Sequence, residues 1–377
     1  MERIRIVEKS GAFARRTFLA LGCAALLAAG CSDGGSGTST GSPVAAAELA
    51  AVGNGSYLGL QQVQSRQANG DWTDLFFDPA QQEAICITGG QYQVSVHHGT
   101  SKDVLLYLEG GGACWNYQNC YVAPLEKKTA NSAVESGALD IHNPQSPFQD
   151  LNIVYAPYCD GSVFAGDNTV DYNGNQTFHH GQWNLTAAVD AIKSEFPNPS
   201  RIIVSGSSAG GYGTYSGYSV VRVAFPETPI ITFDDSGPGL QNPDATQDVQ
   251  DREQNWQYTK FIPASCTNCV PDTGNLAPWA LARDPGLRLA LYSYQQDSVI
   301  SSFLHYDGPS YQTVLFAFSD AVNAQFPDRF KRFFPKGTGH TILELPAFYT
   351  QAIRNESILD WTQAFLDDSP GWQDTIE

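Results

Sequence analysis

The sequence predicts an α/β protein with a doubly wound, mostly parallel sheet that carries helices on both faces. Short runs of apolar residues recur along the chain, with the length and composition typical of strands buried on both sides. Helical patterns lie between several of these runs, and such alternation is typical of doubly wound sheets. No repeat period or internal linker divides residues 51–377, so we expect one domain with loop or lid insertions.

Apolar runs and helical periodicity give the order of the elements. Outer strands are expected at 84–87 and 93–97, and buried strands at 104–108, 153–155, 202–205, 230–233 and 289–292. A helix with one apolar face is expected from Trp183 to Phe196, ending before Pro197, and a last amphipathic helix at 358–366. In sheets of this kind the functional residues lie at the carboxyl ends of the strands. We therefore expect them directly after the predicted strands.

Residues 1–31 have the pattern of an export signal. Basic residues precede an apolar stretch at 18–29, which is too short to span a bilayer and long enough for the core of a signal peptide. Arg15 and Arg16 fit both a twin-arginine signal and a general secretory signal. Residues 27–31 resemble a bacterial lipobox, in which Cys31 is lipidated; plain cleavage nearby is the alternative.

A flexible tether is expected at 32–50, because residues 32–43 are rich in Gly, Ser and Thr. The sequence thus predicts an exported protein, periplasmic or at the cell surface, that touches the membrane only through an N-terminal lipid anchor at Cys31. Without that anchor the protein would be secreted.

The cysteines predict disulfides and no metal site. Six of the eight lie beyond the signal region, and an even number in an exported chain indicates three bridges. Short loops and elimination give the pairs Cys114–Cys120, Cys266–Cys269 and Cys86–Cys159. Half a zinc site or a thioredoxin-like pair at Cys266 and Cys269 is the alternative, but no second pair at zinc spacing follows.

The charge of the chain excludes several partners. Beyond residue 31 the chain keeps 16 basic and 37 acidic residues, a formal net charge of −21. Nucleic acids and anionic lipid surfaces would be repelled, so neither is expected as a partner. The same charge disfavours a polyanionic polysaccharide as substrate.

Residues 201–213 carry the strongest functional signal. A β-branched run ends at Gly206, and the segment from Gly206 to Gly210 fits the G-x-S-x-G nucleophile elbow. The two glycines leave room for a serine in a strained conformation on a sharp strand-to-helix turn. We predict that Ser208 is a nucleophile and that the backbone N–H of Ala209 faces the carbonyl oxygen under attack.

A serine nucleophile needs a base and an acid that orients it. Among the seven histidines we favour His340, which lies in a glycine-flanked turn after the apolar run 330–334. Asp297 follows the predicted strand 289–292 and lies between Ser208 and His340 in the chain, the order that hydrolases of this kind have. Asp234 and Asp235, after the strand 230–233, are the alternatives.

A glycine-rich loop follows the strand 104–108 and is expected to supply further donors. Gly111 and Gly112 are the candidates, since glycines allow the backbone to approach an oxyanion closely. A phosphate-binding loop is the alternative, but no Gly-Lys-Ser/Thr sequence ends it and the net charge opposes phosphate.

Taken together and in order, these motifs resemble those of the pectin acetylesterase and Notum carboxylesterase family. The matching segments are 108–116, 156–161, 206–211, 234–237 and 339–341. The resemblance implies an α/β-hydrolase-like fold, an ester substrate and no metal or organic cofactor. It also implies Ser208, Asp297 and His340 as a triad, Gly111, Gly112 and Ala209 as an oxyanion hole, and bridges Cys114–Cys120 and Cys86–Cys159.

The resemblance leaves the substrate open. Ser207 stands where the family often has cysteine, and Ala113 stands where it often has tryptophan, which leaves the shape of the pocket and the acyl chain length undetermined. The expected reaction is deacetylation or deacylation of an extracytoplasmic glycan or a related ester. The alternative is a catalytically inactive surface lipoprotein that binds glycans on a hydrolase scaffold.

Overall fold

A ten-stranded, mostly parallel sheet forms the centre of the protein. The structure is a computed structural model, which describes residues 41–377. The predicted signal peptide, with Arg15, Arg16 and the lipobox at Cys31, lies outside the described residues. Within them, no helix has the length and apolar character needed to cross a membrane.

The strands of the structure and their bounds, in chain order, are β1 (Val63–Asn69), β2 (Trp72–Phe77), β3 (Gln93–His97), β4 (Val104–Leu108), β5 (Asn152–Ala156), β6 (Asn168–Tyr172), β7 (Asn175–His179), β8 (Ile202–Ser207), β9 (Ile230–Asp235), β10 (Arg288–Tyr292), β11 (Phe330–Phe334), β12 (Ala352–Ile353), β13 (Glu356–Ser357) and β14 (Thr375–Ile376). The main sheet has the order β1-β2-β3-β5-β4-β8-β9-β10-β11-β14. Its first three pairings, from β1 to β5, are antiparallel, and all the others are parallel. Separate two-stranded hairpins are formed by β6 with β7 and by β12 with β13.

The α-helices are α1 (Pro43–Ala51), α2 (Gly181–Glu195), α3 (Ala209–Ala224), α4 (Thr246–Trp256), α5 (Leu276–Arg283), α6 (Ser298–Phe303), α7 (Gly308–Gln325) and α8 (Ile358–Leu366). Helices α2, α3, α5 and α7 connect successive parallel strands. Four of the strands that they connect, β5, β8, β9 and β10, contain predicted buried strands, and β11 coincides with the apolar run 330–334.

The sheet is covered on both faces, because its central strands present apolar side chains in both directions. Along β4, Leu106 and Leu108 pack with helices α1, α2, α3, α5 and α7, whereas Leu105 and Tyr107 face the opposite side. On that second side the cover is α8, with Trp361 and Phe365, together with long loops. The predicted α/β-hydrolase-like fold with helices on both faces is therefore confirmed.

Three expectations about the elements need correction. Residues 84–87 form only an isolated bridge between Ile85 and Gln91 and are not a strand. The sequence prediction also missed the hairpin of β1 and β2, whose first strand is largely exposed and lacks an apolar pattern. The predicted tether at 32–50 is wrong for residues 43–50, which belong to α1.

Helix α1 is part of the domain because its apolar face is buried. Ala45 and Leu49 are fully buried in the core formed by the helices of this side. The Ser42 hydroxyl caps the helix and donates to the Arg283 carbonyl oxygen at 2.7 Å. The Gly-, Ser- and Thr-rich composition that favours a tether ends near residue 43, and the alanine-rich residues that follow suit a short helix.

The predicted disulfides are confirmed. The bridged pairs are Cys86–Cys159, Cys114–Cys120 and Cys266–Cys269. The first joins the segment before β3 to the segment after β5, and the second closes the loop that follows β4.

Candidate active site

Ser208 lies on a strained turn between β8 and α3. Its backbone has φ of 57° and ψ of −115°, a conformation that costs a non-glycine residue about 1–3 kcal/mol. A Cβ at Gly210 would lie 1.9 Å from the Leu108 carbonyl oxygen, so only glycine fits there. At Gly206 the same atom would lie 2.4 Å from the Gly210 carbonyl oxygen. The predicted elbow is thus sterically dependent on both glycines.

The first turn of α3 directs free backbone donors toward Ser208. Ala209 is the first residue of this helix, and within residues 41–377 its N–H group donates no hydrogen bond. The N-terminus of a helix carries a partial positive charge, which stabilises an anion placed near it. Ala209 therefore begins the helix directly after Ser208, with an N–H group that the described chain leaves without an acceptor.

The glycine loop after β4 touches the elbow. A Cβ at Gly110 would lie 3.1 Å from the Cβ of Ser208. Gly112 has φ of +80°, and a side chain there would collide with the Leu125 carbonyl oxygen at 1.7 Å. Among the described residues, no acceptor bonds to the N–H groups of Gly111 and Gly112. The candidate donors thus lie on a loop whose conformation requires glycine.

Lys127 fastens this loop. Its backbone N–H donates to the Gly111 carbonyl oxygen at 2.8 Å, and its ammonium pairs with Glu109 at 2.5 Å. The buried Glu109 carboxylate also accepts the Tyr158 N–H at 2.9 Å. A loop held at both its backbone and its first residue can keep donors oriented before substrate arrives.

Asp297 and His340 form a hydrogen-bonded pair. The imidazole Nδ1 lies 2.7 Å from the fully buried carboxylate of Asp297. The other carboxylate oxygen accepts the N–H groups of Val299 and Ile300, both at 3.0 Å, so it caps α6. Within the described chain the His340 Nε2 is buried and has no hydrogen-bond partner. An Nδ1–H that donates to Asp297 leaves the lone pair on Nε2 free to accept a proton.

Asp235 joins the serine turn to the histidine turn. Its backbone carbonyl accepts the Ser208 N–H at 2.8 Å. Its carboxylate accepts the N–H groups of Ile342 and Leu343, two and three residues after His340, at 3.0 and 2.9 Å. One residue at the end of β9 therefore anchors both turns. The sequence offers Asp235 as a rival catalytic acid or as a hydrogen-bonding loop end, and it does not indicate which two turns this residue joins.

Ser207 completes the anchor. Its hydroxyl donates to the Asp235 carboxylate at 2.5 Å, so the Tyr107 hydroxyl, 2.7 Å away, donates to Ser207. The residue that departs from the family pattern thus has hydrogen-bonding partners that the sequence did not reveal.

Asp234 is oriented away from this anchor. Its carboxyl group accepts the Gly237 N–H at 2.7 Å and the Tyr215 hydroxyl at 3.1 Å, beneath α3. Burial raises the pKa of Asp234 to about 8. Neither Asp234 nor Asp235 is hydrogen-bonded to the His340 ring, so Asp297 is the carboxylate that pairs with it.

A cleft of about 930 Å³ opens beside Ser208. Its wall near the elbow contains Gly112, Ser208 and Ala209, and the rest is mostly apolar, with Trp115, Trp256 and Phe303 from the loop after β4, α4 and α6. A cleft of this size and lining suits an organic substrate. Phe303 belongs to a stretch of the sequence rich in aromatic residues, and its side chain lines the cleft.

One group of metal-ligand residue types occurs within residues 41–377. Cys114, Cys120 and His179 have potential ligand atoms within 4.8 Å of one another. The two cysteines are bridged, and the His179 nitrogens contact the Tyr172 hydroxyl and the Asp160 carbonyl oxygen. A bridged cysteine has no thiolate to offer, so this group does not suit a metal.

The fold and this arrangement of residues are those of an α/β-hydrolase-like protein. A family model described as pectinacetylesterase matches residues 65–276, more than half of the chain. The chain therefore belongs to the pectinacetylesterase family.

Curated relatives carry two kinds of name. Pectin acetylesterase 4 of Arabidopsis thaliana is 30% identical over 170 residues, 42% of each chain. Pectin acetylesterase 11 of the same plant is 26% identical over 207 residues, 50% of this chain and 53% of the relative. Palmitoleoyl-protein carboxylesterase NOTUM of Schmidtea mediterranea is 31% identical over 123 residues, 30% of this chain and 23% of the relative. The matches thus span about half the length of the pectin acetylesterases, and less of NOTUM.

The raised pKa of Asp234 predicts a pH-dependent stability. Between about pH 4 and pH 8 this carboxyl group is protonated in the folded protein and ionised in the unfolded chain. Its contribution to stability is therefore complete below pH 4 and is lost as the pH rises toward 8. Relative to that of the wild type, the free energy of unfolding of Asp234→Asn should therefore rise by up to about 1.4 kcal/mol for each pH unit across this window.

Urea unfolding of both proteins at several pH values measures this difference. The exposed Asp328 provides the control, since Asp328→Asn should leave the pH profile unchanged. A difference between wild type and Asp234→Asn that is constant from pH 5 to pH 8 would contradict the prediction.

Proposed function

We propose that the protein is a serine carboxylic-ester hydrolase in which Ser208 is the nucleophile, His340 the general base and Asp297 the orienting acid. The observation that carries this proposal is the hydrogen-bonded pair of Asp297 and His340, which leaves the Nε2 of His340 free. The turn that carries His340 and the backbone of Ser208 are both hydrogen-bonded to Asp235. Membership of a family named for an esterase supports the reaction class.

The first half of the reaction forms an acyl-enzyme. His340 Nε2 takes the proton of the Ser208 hydroxyl, and the serine oxygen attacks the ester carbonyl carbon. The tetrahedral anion is stabilised by the N–H groups of Ala209 and of Gly111 or Gly112, each such donor being worth about 3 kcal/mol. The alcohol then leaves with the proton held by His340.

The second half repeats these steps with water. His340 activates a water molecule, which attacks the acyl carbon on Ser208 and releases the acid. Asp297 accepts the Nδ1–H throughout, so it holds the imidazole in one tautomer and stabilises its charged form. All of these steps use side chains and backbone donors of this chain, and the proposed mechanism requires no cofactor.

The substrate that we propose is an acetylated or otherwise acylated extracytoplasmic glycan, or a related ester. The names of the pectin acetylesterases favour an acyl group on a polysaccharide. The cleft beside Ser208 is lined by residues of α4 and α6 as well as the elbow, so we expect it to hold part of the alcohol or a longer acyl chain.

Replacing Ser208 with alanine should abolish ester hydrolysis. Loss of a serine nucleophile lowers kcat on the order of 10⁶-fold in a triad hydrolase. Release of p-nitrophenol from p-nitrophenyl acetate measures the effect, and circular dichroism checks that the variant is folded. Ser216, on the same helix and in the same cleft, provides the control, because Ser216→Ala should keep its activity. Full activity in folded Ser208→Ala would exclude the mechanism.

We also propose that the protein is exported and anchored to a membrane by a lipid on Cys31. Three disulfides in the described domain are typical of an oxidising compartment. The basic and apolar pattern of residues 1–31 supports an export signal, and residues 27–31 support lipidation.

Labelling with an alkyne fatty acid in a bacterial host tests the anchor. Wild-type protein should take up the label and sediment with membranes, while Cys31→Ser should do neither. Cys23→Ser is the matched control, since Cys23 lies in the apolar stretch and should not affect labelling. Unlabelled wild-type protein, or label retained in Cys31→Ser, would rule out lipidation at Cys31.

A further inference from the structure

Arg252 on α4 is a buried cation in the wall of the cleft. Its side chain lines the same cavity as Ser208, and only 4% of the residue is exposed. Among the residues that line this cavity it is the only one with a charged side chain. A charge in a mostly apolar wall is costly unless something compensates it.

No group in the described part of the chain compensates Arg252. Its guanidinium makes no hydrogen bond or ion pair there, and its Nε and Nη2 atoms are buried without partners. The nearest carboxylates, Asp248 and Asp251, are already used by other groups. Asp248 accepts from the Trp115 indole at 3.0 Å and contacts the His305 ring at 2.7 Å.

Both oxygens of Asp251 are likewise engaged. One accepts from the Asn116 amide at 3.1 Å, and the other accepts from the Gln247 amide at 2.7 Å. Burial lowers the pKa of Arg252, although the two carboxylates oppose this effect from a distance. The Arg252 guanidinium is therefore not hydrogen-bonded to either of these two carboxylates.

Other buried arginines of the described chain show what a structural arginine looks like here. Arg222 pairs with the buried Asp284 at 2.6 Å and donates to three carbonyl oxygens. Arg332 is bonded to Asp374, at 2.7 Å, and to Asp320. Arg252 has neither kind of partner, and its guanidinium carbon lies over the face of Trp115, 4.6 Å from the ring centre.

We propose that Arg252 binds a carboxylate of the ester substrate and so makes the enzyme selective for anionic esters. This inference rests on the proposed function. A guanidinium offers paired donors that match the two oxygens of a carboxylate, and the Trp115 ring holds its plane in one orientation. The carboxylate would satisfy the buried donors that the protein leaves free.

The strongly acidic composition of the chain does not attract an anionic substrate, so any selectivity has to arise inside the cleft. A net charge of −18 for the whole chain repels anions at long range, so the surface does not steer an anionic substrate toward the cleft. Selectivity would then come from one short-range contact inside the cleft, where the surroundings are apolar and electrostatic interactions are stronger. The carboxylate belongs either to the acyl part or to the alcohol part of the ester.

Two matched pairs of substrates distinguish these sources. The acyl pair is mono-p-nitrophenyl adipate and the p-nitrophenyl ester of adipic monoamide. The alcohol pair is an acetylated methyl hexuronoside and its hexuronamide. In the wild type, kcat/KM should favour the carboxylate member of one pair by roughly tenfold or more, as expected for a charged hydrogen-bonded contact. A ratio near one in both pairs would overturn the proposal.

Substitution of Arg252 should remove this preference. Arg252→Gln keeps donors without the charge, so the ratio of the two kcat/KM values should fall to near one, while Arg252→Lys should retain part of it. Arg66→Gln, at an exposed arginine that pairs with Glu195, should keep the wild-type ratio. An unchanged ratio in folded Arg252→Gln would contradict the assignment.

Two further measurements separate this inference from the alternatives. An arginine with only a structural role would lower Tm when replaced, whereas Arg252→Met should keep or raise Tm because it removes an uncompensated buried charge. Calorimetric titration of hexanoate and the methyl hexuronoside, each against its amide, detects the contact even if no ester is hydrolysed. Equal binding of acid and amide by the wild type would refute the carboxylate site, and hydrolysis of p-nitrophenyl acetate reports separately on the proposed function.

Discussion

The candidate site depends on one buried carboxylate at the end of a central strand. Asp235 holds the Ser208 turn through its backbone carbonyl and the His340 turn through its side chain. These turns are about 130 residues apart in sequence, and the carboxyl group can accept from Ser207, Ile342 and Leu343 together because its two oxygens have several lone pairs. Removing it would leave buried donors unpaired on both sides of the catalytic centre.

Several residues around this anchor have features that are unfavourable for the stability of the fold. Ser208 has a strained backbone, Asp234 keeps a carboxyl group in the core beneath α3, and Arg252 is buried without a partner. The buried Arg222, in contrast, is compensated by its pair with Asp284. Exceptions of this kind concentrate at functional sites, where local stability is given up for chemistry. Ser208 and Arg252 line the same cleft, and Asp234 accepts from Tyr215, which also lines it.

Much of the fold could be predicted from the sequence because the buried strands are short, apolar and separated by helical patterns. The bounds of β4 and the starts of β8 and β9 follow from such runs, and the elbow at Ser208 follows from its two glycines. The hairpin of β1 and β2 escaped prediction because a half-exposed edge carries no continuous apolar run. Helix α1 was not predicted because its small residues are compatible with a flexible tether as well as with a packed helix.

The roles of neighbouring acids could not be predicted from the sequence. Adjacent strand residues point to opposite faces, so Asp234 faces Tyr215 while Asp235 faces the histidine turn, and only the three-dimensional arrangement separates them. The free state of Arg252 likewise depends on which partners Asp248 and Asp251 take. Such hydrogen-bond choices connect distant parts of the chain and leave no periodic signal.

The most direct test of the proposed acyl-enzyme mechanism is reaction with a fluorophosphonate, which modifies serines activated by a neighbouring base. Peptide mapping by mass spectrometry should find one adduct, on Ser208, and the rate of labelling should fall sharply in His340→Ala. An unmodified Ser208 in folded wild-type protein, or an adduct on another serine, would contradict the mechanism and favour a hydrolase scaffold that only binds its ligand.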